Sequence, residues 1–251
     1  MKKLFLLAIS LSSCLILTAQ PKYFEKSLAW EEIHNGRVIF EKADGNFFVA
    51  CDVYSLDNNS WHQYNLNLDK FGNIVDNIHL DLPNGYGVAV IDGITTEYGY
   101  ATVGYIVNQP STSQAYFLRL TPDGAIIDTF WVGQLPAALS YTLSRTPDGG
   151  YMLGGSVRQY SGNNFTTYPY LIRLNEQGEV VWDSDYTLPS IYCNSCINTF
   201  ADIITNESDS SYYAIMMLNA YGDETSDAMW CHIDSAGNII DQRLIGSLGG
   251  Q

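Results

Sequence analysis

Basic side chains are scarce in this sequence: 12 Lys and Arg stand against 27 Asp and Glu. Binding to nucleic acid or anionic lipid depends on clustered Lys and Arg, so a chain this acidic excludes both as partners. The excess of acid bears on solubility and on attraction of cations or basic partners, not on fold. Beyond the first 20 residues no apolar run is long enough to cross a membrane. Helical periodicity of apolar positions is absent, as are the nucleophile elbow, zinc-protease motif, phosphate loop and calcium loop. His34, His62, His79 and His232 show no paired spacing, which leaves a cysteine-based zinc site short of ligands. No catalytic residue, cofactor or metal site is expected on these grounds.

The start of the chain reads differently. Met1-Lys2-Lys3 precedes an apolar stretch from Leu4 to Leu17, and the small residue Ala19 follows. A charged beginning, a short apolar core and a small residue describe an export signal over residues 1–19, cleaved after Ala19. Leu11-Ser12-Ser13-Cys14 resembles a lipobox, and the alternative is a lipid-anchored protein beginning at Cys14. Either way the mature chain is exported, to the periplasm, the cell surface or the medium. Loss of Lys2 and Lys3 leaves 10 basic residues against 27 acidic ones, a formal charge of −17. With 46% hydrophobic residues there is ample material for one domain over residues 20–251.

What fills that domain is a repeat. Asp69-Lys70-Phe71-Gly72-Asn73 is echoed by Thr121-Pro122-Asp123-Gly124-Ala125, by Asn175-Glu176-Gln177-Gly178-Glu179 and by Asp234-Ser235-Ala236-Gly237-Asn238. The glycines are spaced by 52, 54 and 59 residues. A second turn series keeps pace at Asp44-Gly45, Tyr98-Gly99, Asp148-Gly149 and Asp209-Ser210. Two turn types at a common period mean a repeated module. Each turn has a mechanism, because Asp or Asn bends the chain through its side chain and Gly accepts the positive φ that closes a bulged hairpin. Between the turns lie β-branched, aromatic and alternating residues, so four strands, a to d, are predicted per module, at about 36–82, 86–133, 138–187 and 198–246. In strand c the columns Tyr64/Tyr116/Tyr170/Met229 and Leu66/Leu118/Ile172/Cys231 are apolar, and the intervening column Asn67/Arg119/Arg173/His232 is polar. Period-two alternation in register four times predicts stacked sheets with a buried and a less buried face.

The string Asp148-Gly149-Gly150-Tyr151-Met152-Leu153-Gly154-Gly155, followed by Leu174-Asn175 and Gly178-Glu179-Val180-Val181-Trp182, resembles the repeat of bacterial secreted β-propeller proteins. Only the third module is a close match, since Asp76, Asp128 and Asp241 stand where Trp182 does. The resemblance implies an all-β, propeller-like array of four-stranded antiparallel blades, with four repeats that need not complete a ring. It implies no catalytic residues. Tyr23 to Trp30 reads as an additional strand d without its a, b and c, expected to pair at the outer edge of a sheet elsewhere in the ring or to stay unpaired.

Variable loops on such a scaffold are where binding residues gather. The connections from b to c and from d to a share one end of the blades and vary in length. Tyr160, Asn163, Asn164, Phe165 and Tyr168 form the richest cluster, with aromatic surface and amides suited to an extracellular protein or glycan. Asp223, Glu224 and Asp227 are the carboxylates a calcium ion would use, although solvated loop carboxylates are commoner. Cys193 and Cys196 lie in a d-to-a connection, where a loop-stapling disulfide is favoured over a redox or zinc site. Cys51 and Cys231 fall in apolar columns and are expected to be packed, inert thiols. The function read from this is a secreted or cell-surface, non-catalytic recognition module. The alternatives are a polysaccharide-processing enzyme on the same scaffold and a structural segment of a larger envelope protein.

Overall fold

A computed structural model describes residues 33–55, 57, 60–80, 82, 87–107, 113–132, 138–161, 164–186, 197–219 and 226–245. Among them there is no helix, and the strands form four meanders. The first sheet comprises β1 (Ile33–Glu41), β2 (Phe47–Ser55), β3 (Ser60–Leu68) and β4 (Ile74–Leu80). The second comprises β5 (Gly87–Thr96), β6 (Gly99–Val107), β7 (Ser113–Leu120) and β8 (Ile126–Val132). The third comprises β9 (Ala138–Arg145), β10 (Tyr151–Ser161), β11 (Asn164–Leu174) and β12 (Val180–Asp185). The fourth comprises β13 (Ile197–Asn206), β14 (Ser211–Asn219), β15 (Ser226–Ile233) and β16 (Ile239–Ile245). Within each sheet consecutive strands pair antiparallel, and one parallel bridge, Thr167 to Ile197, links the third to the fourth. The fold is therefore the all-β, propeller-like array of four-stranded sheets that the repeat predicts.

The four glycines of the c-to-d series occupy equivalent turns. Gly72, Gly124, Gly178 and Gly237 have φ of 78°, 96°, 88° and 89°. Each donates its N–H to the carbonyl three residues back, at 2.8 to 3.0 Å. That residue in turn donates to the residue after the glycine, at 2.9 Å in all four. In the first and fourth turns the aspartate at the bend, Asp69 or Asp234, also accepts from the backbone N–H of Asn73 or Asn238 at 2.8 Å. Strand registers agree with the columns read from sequence: Cys51, Gly104, Gly155 and Met216 on strand b stand opposite Tyr64, Tyr116, Tyr170 and Met229 on strand c.

Successive sheets pack face to face. Phe48 and Ala50 of the first sheet join Val90, Tyr116 and Leu118 of the second in one core. Val103 and Phe117 of the second join Tyr151, Leu153 and Ile172 of the third. Met152 and Leu171 of the third join Phe200, Met216 and Cys231 of the fourth. The sheet thus has a rear face toward its predecessor and a front face toward its successor. This corrects the expectation of one buried and one less buried face. Asn65, Asn67 and Arg173, on the polar side by alternation, are as buried as core residues because the following sheet covers the front face too.

The same device recurs at each junction. An aromatic ring of the preceding sheet lies where a Cβ on the next c-to-d glycine would have to go: Phe48 against Gly124, Phe130 against Gly178 and Trp182 against Gly237. Side chains of the preceding sheet donate to the carbonyls of that turn: Asn65 Nδ2 to Gly124 at 2.8 Å, Asn67 Nδ2 to Asp123 at 2.7 Å and Trp182 Nε1 to Ser235 at 3.1 Å. Tyr186 donates its hydroxyl to the Gly237 carbonyl at 2.6 Å in a buried setting. Replacing Tyr186 by Phe is expected to cost about 1–2 kcal/mol, because the Gly237 carbonyl loses a partner where water has little access. A urea midpoint unchanged from the parent protein would show that the bond contributes nothing.

Among the described residues, the front face of the fourth sheet has no such neighbour. Ile204 is 59% exposed and Met217 41%, and Ile204 borders a shallow groove of about 160 Å³ with Ile203, Tyr213, Ile215 and Trp230. The Tyr213 and Trp230 rings stack at 5.8 Å.

Candidate functional site

The site begins with an irregularity of the first strand of each sheet. Arg37, Ile91, Tyr141 and Ala201 are extra residues without a cross-strand partner, so each first strand carries a β-bulge at the same place. A bulge disrupts the ladder locally and re-aims the side chain at the kink. Backbone donors near these kinks are taken up by carboxylates. Asp52 accepts from the Val90 N–H across the first junction at 2.7 Å. Asp92 accepts from the Leu143 N–H across the second at 2.8 Å and from its neighbour Gly93 at 2.8 Å. Asp202 accepts from Ile203 N–H at 2.8 Å and from the Thr142 hydroxyl at 3.3 Å across the third. These acids bridge sheets. Burial raises the carboxyl pKa of Asp52 and Asp92, and the backbone donors oppose the shift.

At the first junction the bulge does more than bridge. It turns Arg37 so that Nε donates to the second oxygen of Asp52 at 3.0 Å, with Asp52 1% and Arg37 40% exposed. The pair forms one wall of a cleft of about 250 Å³, lined by Asn35, Arg37, Asp52, Trp61, Val88, Ala89 and Tyr105. Trp61 is held against Tyr54, with ring centroids 5.2 Å apart. The Ala89 side is tied down by the Tyr116 hydroxyl, which donates to Gln63 Oε1 at 2.7 Å and lies 3.1 Å from the Ala89 carbonyl. Asn35 and Ala89 stand near the starts of first strands, Trp61 near the start of a third strand and Tyr105 near the end of a second. The cleft therefore opens at the end of the sheets where the b-to-c and d-to-a connections run. It offers an aromatic ring, an amide and a guanidinium anchored by a buried carboxylate.

The residues expected from sequence are placed elsewhere. Residues 158–161 and 164–168 are strand and not loop: β10 runs on to Ser161 and β11 starts at Asn164, with Tyr160 opposite Phe165 and Asn164 opposite Ser161. The extension forms because Phe165-Thr166-Thr167-Tyr168 is rich in β-branched and aromatic residues that continue the ladder. Tyr168 is half-buried and packs on the core shared by the second and third sheets, so it is a core residue more than a contact residue. Asp227 is likewise drawn into β15, paired with Leu218. Among the described residues no group of three or more His, Cys, Asp or Glu is placed to hold a metal. Asn163, Asp223, Glu224, Cys193, Cys196, Cys14 and Tyr23 to Trp30 lie outside the described residues. Cys51 and Cys231 are buried free thiols, and burial pushes them to about 12 and about 11, which makes them inert as read from their columns.

Asn35, Arg37, Asp52, Trp61 and Tyr105 were not singled out by sequence. The only local signals were Gly36 before the kink and Trp61 beside a variable connection.

No protein-family model matches the chain, and no curated protein matches it. Solved structures do match, 34 chains in all. One is the crystal structure of a member of the DUF4221 family from Bacteroides vulgatus ATCC 8482, at 10% identity and a TM-score of 0.26, covering 87% of this chain and 86% of that one. A likeness at that level carries nothing about residues or activity.

Proposed function

We propose that the protein is an exported, non-catalytic recognition module that binds a glycan through the cleft between the first and second sheets. The cleft's composition carries the reading. Trp61 supplies a ring face for the apolar side of a sugar, while Asn35 and the Asp52-anchored Arg37 supply fixed hydrogen bonds for its hydroxyl or carboxyl groups. A volume of about 250 Å³ suits a single sugar ring, being below the range of about 300–1,000 Å³ for drug-sized ligands. The acids at the junctions are occupied by backbone N–H and hydroxyl donors, which favours a structural role for them over the enzyme alternative.

The test is a glycan array probed with the mature chain, run beside an assay for released sugar. Binding is expected without hydrolysis, and Trp61→Ala should weaken it at least tenfold while leaving the melting temperature within a few degrees. Cleavage of a bound glycan would restore the polysaccharide-processing reading. Capture of a polypeptide with an empty array would favour a protein ligand.

A further inference from the structure

The described ion pairs differ in which partner faces water. In Arg119–Asp128, Arg145–Glu97 and Arg173–Asp148 the carboxylate is the more exposed member, and in Arg243–Asp241 both side chains lie in solvent. Arg37–Asp52 is reversed, with the acid behind the guanidinium and the guanidinium open to the cleft between the first and second sheets. Both oxygens of Asp52 are engaged, one by the Val90 N–H and the other by Arg37 Nε. Arg37 gives only Nε to this pair, and among the described residues nothing accepts from its Nη1 or Nη2. A chain with 27 acidic side chains against 12 basic ones thus keeps a cation at this cleft with the end of its fork open.

We propose, resting on the glycan reading of the cleft, that the sugar it takes is an acidic one, a uronic acid whose carboxylate receives Nη1 and Nη2 of Arg37. Two N–H donors in one plane match the two oxygens of a carboxylate, and charge-assisted pairs of this kind are about twice as strong as neutral hydrogen bonds. A sugar hydroxyl offers the fork a single oxygen and leaves a donor unmatched, so an uncharged sugar gains less from the same guanidinium. Asp52 holds Arg37 in place before the ligand arrives, and less side-chain freedom is lost on binding. The remaining lining groups suit the rest of the ring: Trp61 takes its C–H face, and the Asn35 amide and Tyr105 hydroxyl carry donors for its hydroxyls. Besides Asp52 no carboxylate is among the described lining residues. An incoming anion therefore meets one acid, whose charge already has two donors facing it.

Calorimetric titration of the unmodified mature chain tests this, with oligosaccharides of galacturonate and of glucuronate, their methyl esters, their sulfated uncharged-ring counterparts and the plain galactose and glucose oligosaccharides as probes. The methyl ester keeps the ring and its hydroxyls and removes the charge. At least one uronate should bind about tenfold or more tightly than its own ester, by a ratio that shrinks as salt is raised. Arg37→Gln should bring the ratio to about one while ester binding persists, and Arg37→Lys, which keeps the charge without the fork, should retain only part of it. Equal affinity for acid and ester, or a folded Arg37→Gln chain that keeps the preference, would overturn the acidic sugar and leave the glycan reading standing. Tighter binding of a sulfated sugar than of either uronate would overturn it as well. If no sugar binds, charged or uncharged, the glycan reading falls together with it. Should Arg37→Gln not fold, the acid-to-ester ratio of the parent chain decides alone.

Discussion

Gly178→Ala is expected to destabilise the protein by about 2–5 kcal/mol, and Gly149→Ala by only about 1–2 kcal/mol, although both glycines have a positive φ in a hairpin turn. The φ values are 88° and 84°, so the left-handed strain of an L residue, about 1–2 kcal/mol, is common to both. Surroundings separate them. A Cβ on Gly178 would stand 2.5 Å from the Phe130 ring, in the junction between the second and third sheets. A Cβ on Gly149 would meet nothing closer than Glu176, at 3.9 Å. The additional 1–3 kcal/mol at Gly178 is the overpacking cost of moving Phe130 out of its place. Urea unfolding at constant m-value measures both, and equal losses for the two variants would mean that the ring does not cover the turn.

Asp52→Ala should cost about 2–4 kcal/mol, because it leaves the Val90 N–H buried without an acceptor and removes the anchor of Arg37. The cost stays below that of breaking a fully buried pair because Arg37 reaches water and can rehydrate. The pH dependence has a definite sign. Burial raises the Asp52 and Asp92 carboxyls above 3.8, so folding favours their protonated forms. Their contribution to stability is fully present below about pH 3.8 and is lost as pH rises through the raised values. Asp148 and Asp234 are shifted down, Asp148 with a Thr146 hydroxyl bond and the charge of Arg173 outweighing its desolvation, Asp234 chiefly through its bonds to Asn238. Their contribution is present above pH 3.8 and is lost as pH falls through the lowered values. Melting temperature should therefore rise as pH is lowered from neutrality toward 4 and fall again below it. Relief of self-repulsion in a chain of net charge −15 acts in the same direction on the first limb. Asp52→Asn should flatten that limb, and a variant with the parental slope would remove Asp52 from the account.

The proposed glycan binding at the cleft would depend on that carboxylate too. Arg37 is re-aimed by a bulge and then held by Asp52, so Asp52→Asn should weaken glycan binding through loss of orientation even where the fold survives.

The sequence by itself determined the strand count per module, the two turn series, the columns of strand c and the inert character of Cys51 and Cys231. These are local properties: Asp and Gly choose a turn within five residues, and alternation chooses a face within one strand. Only the tertiary structure decided the rest. Whether Asn65 and Asn67 are solvated or buried depends on a turn nearly 60 residues further along the chain. Whether Tyr160 and Phe165 belong to a loop or to an extended hairpin depends on how far the ladder between β10 and β11 propagates. The cleft exists because Arg37 is one residue too many for its ladder, which turns it to Asp52, and because β5 of the next sheet closes the other side. A one-residue bulge leaves the composition of a strand unchanged, and the juxtaposition of two sheets is a non-local event, so neither can be read from the residues that take part in it.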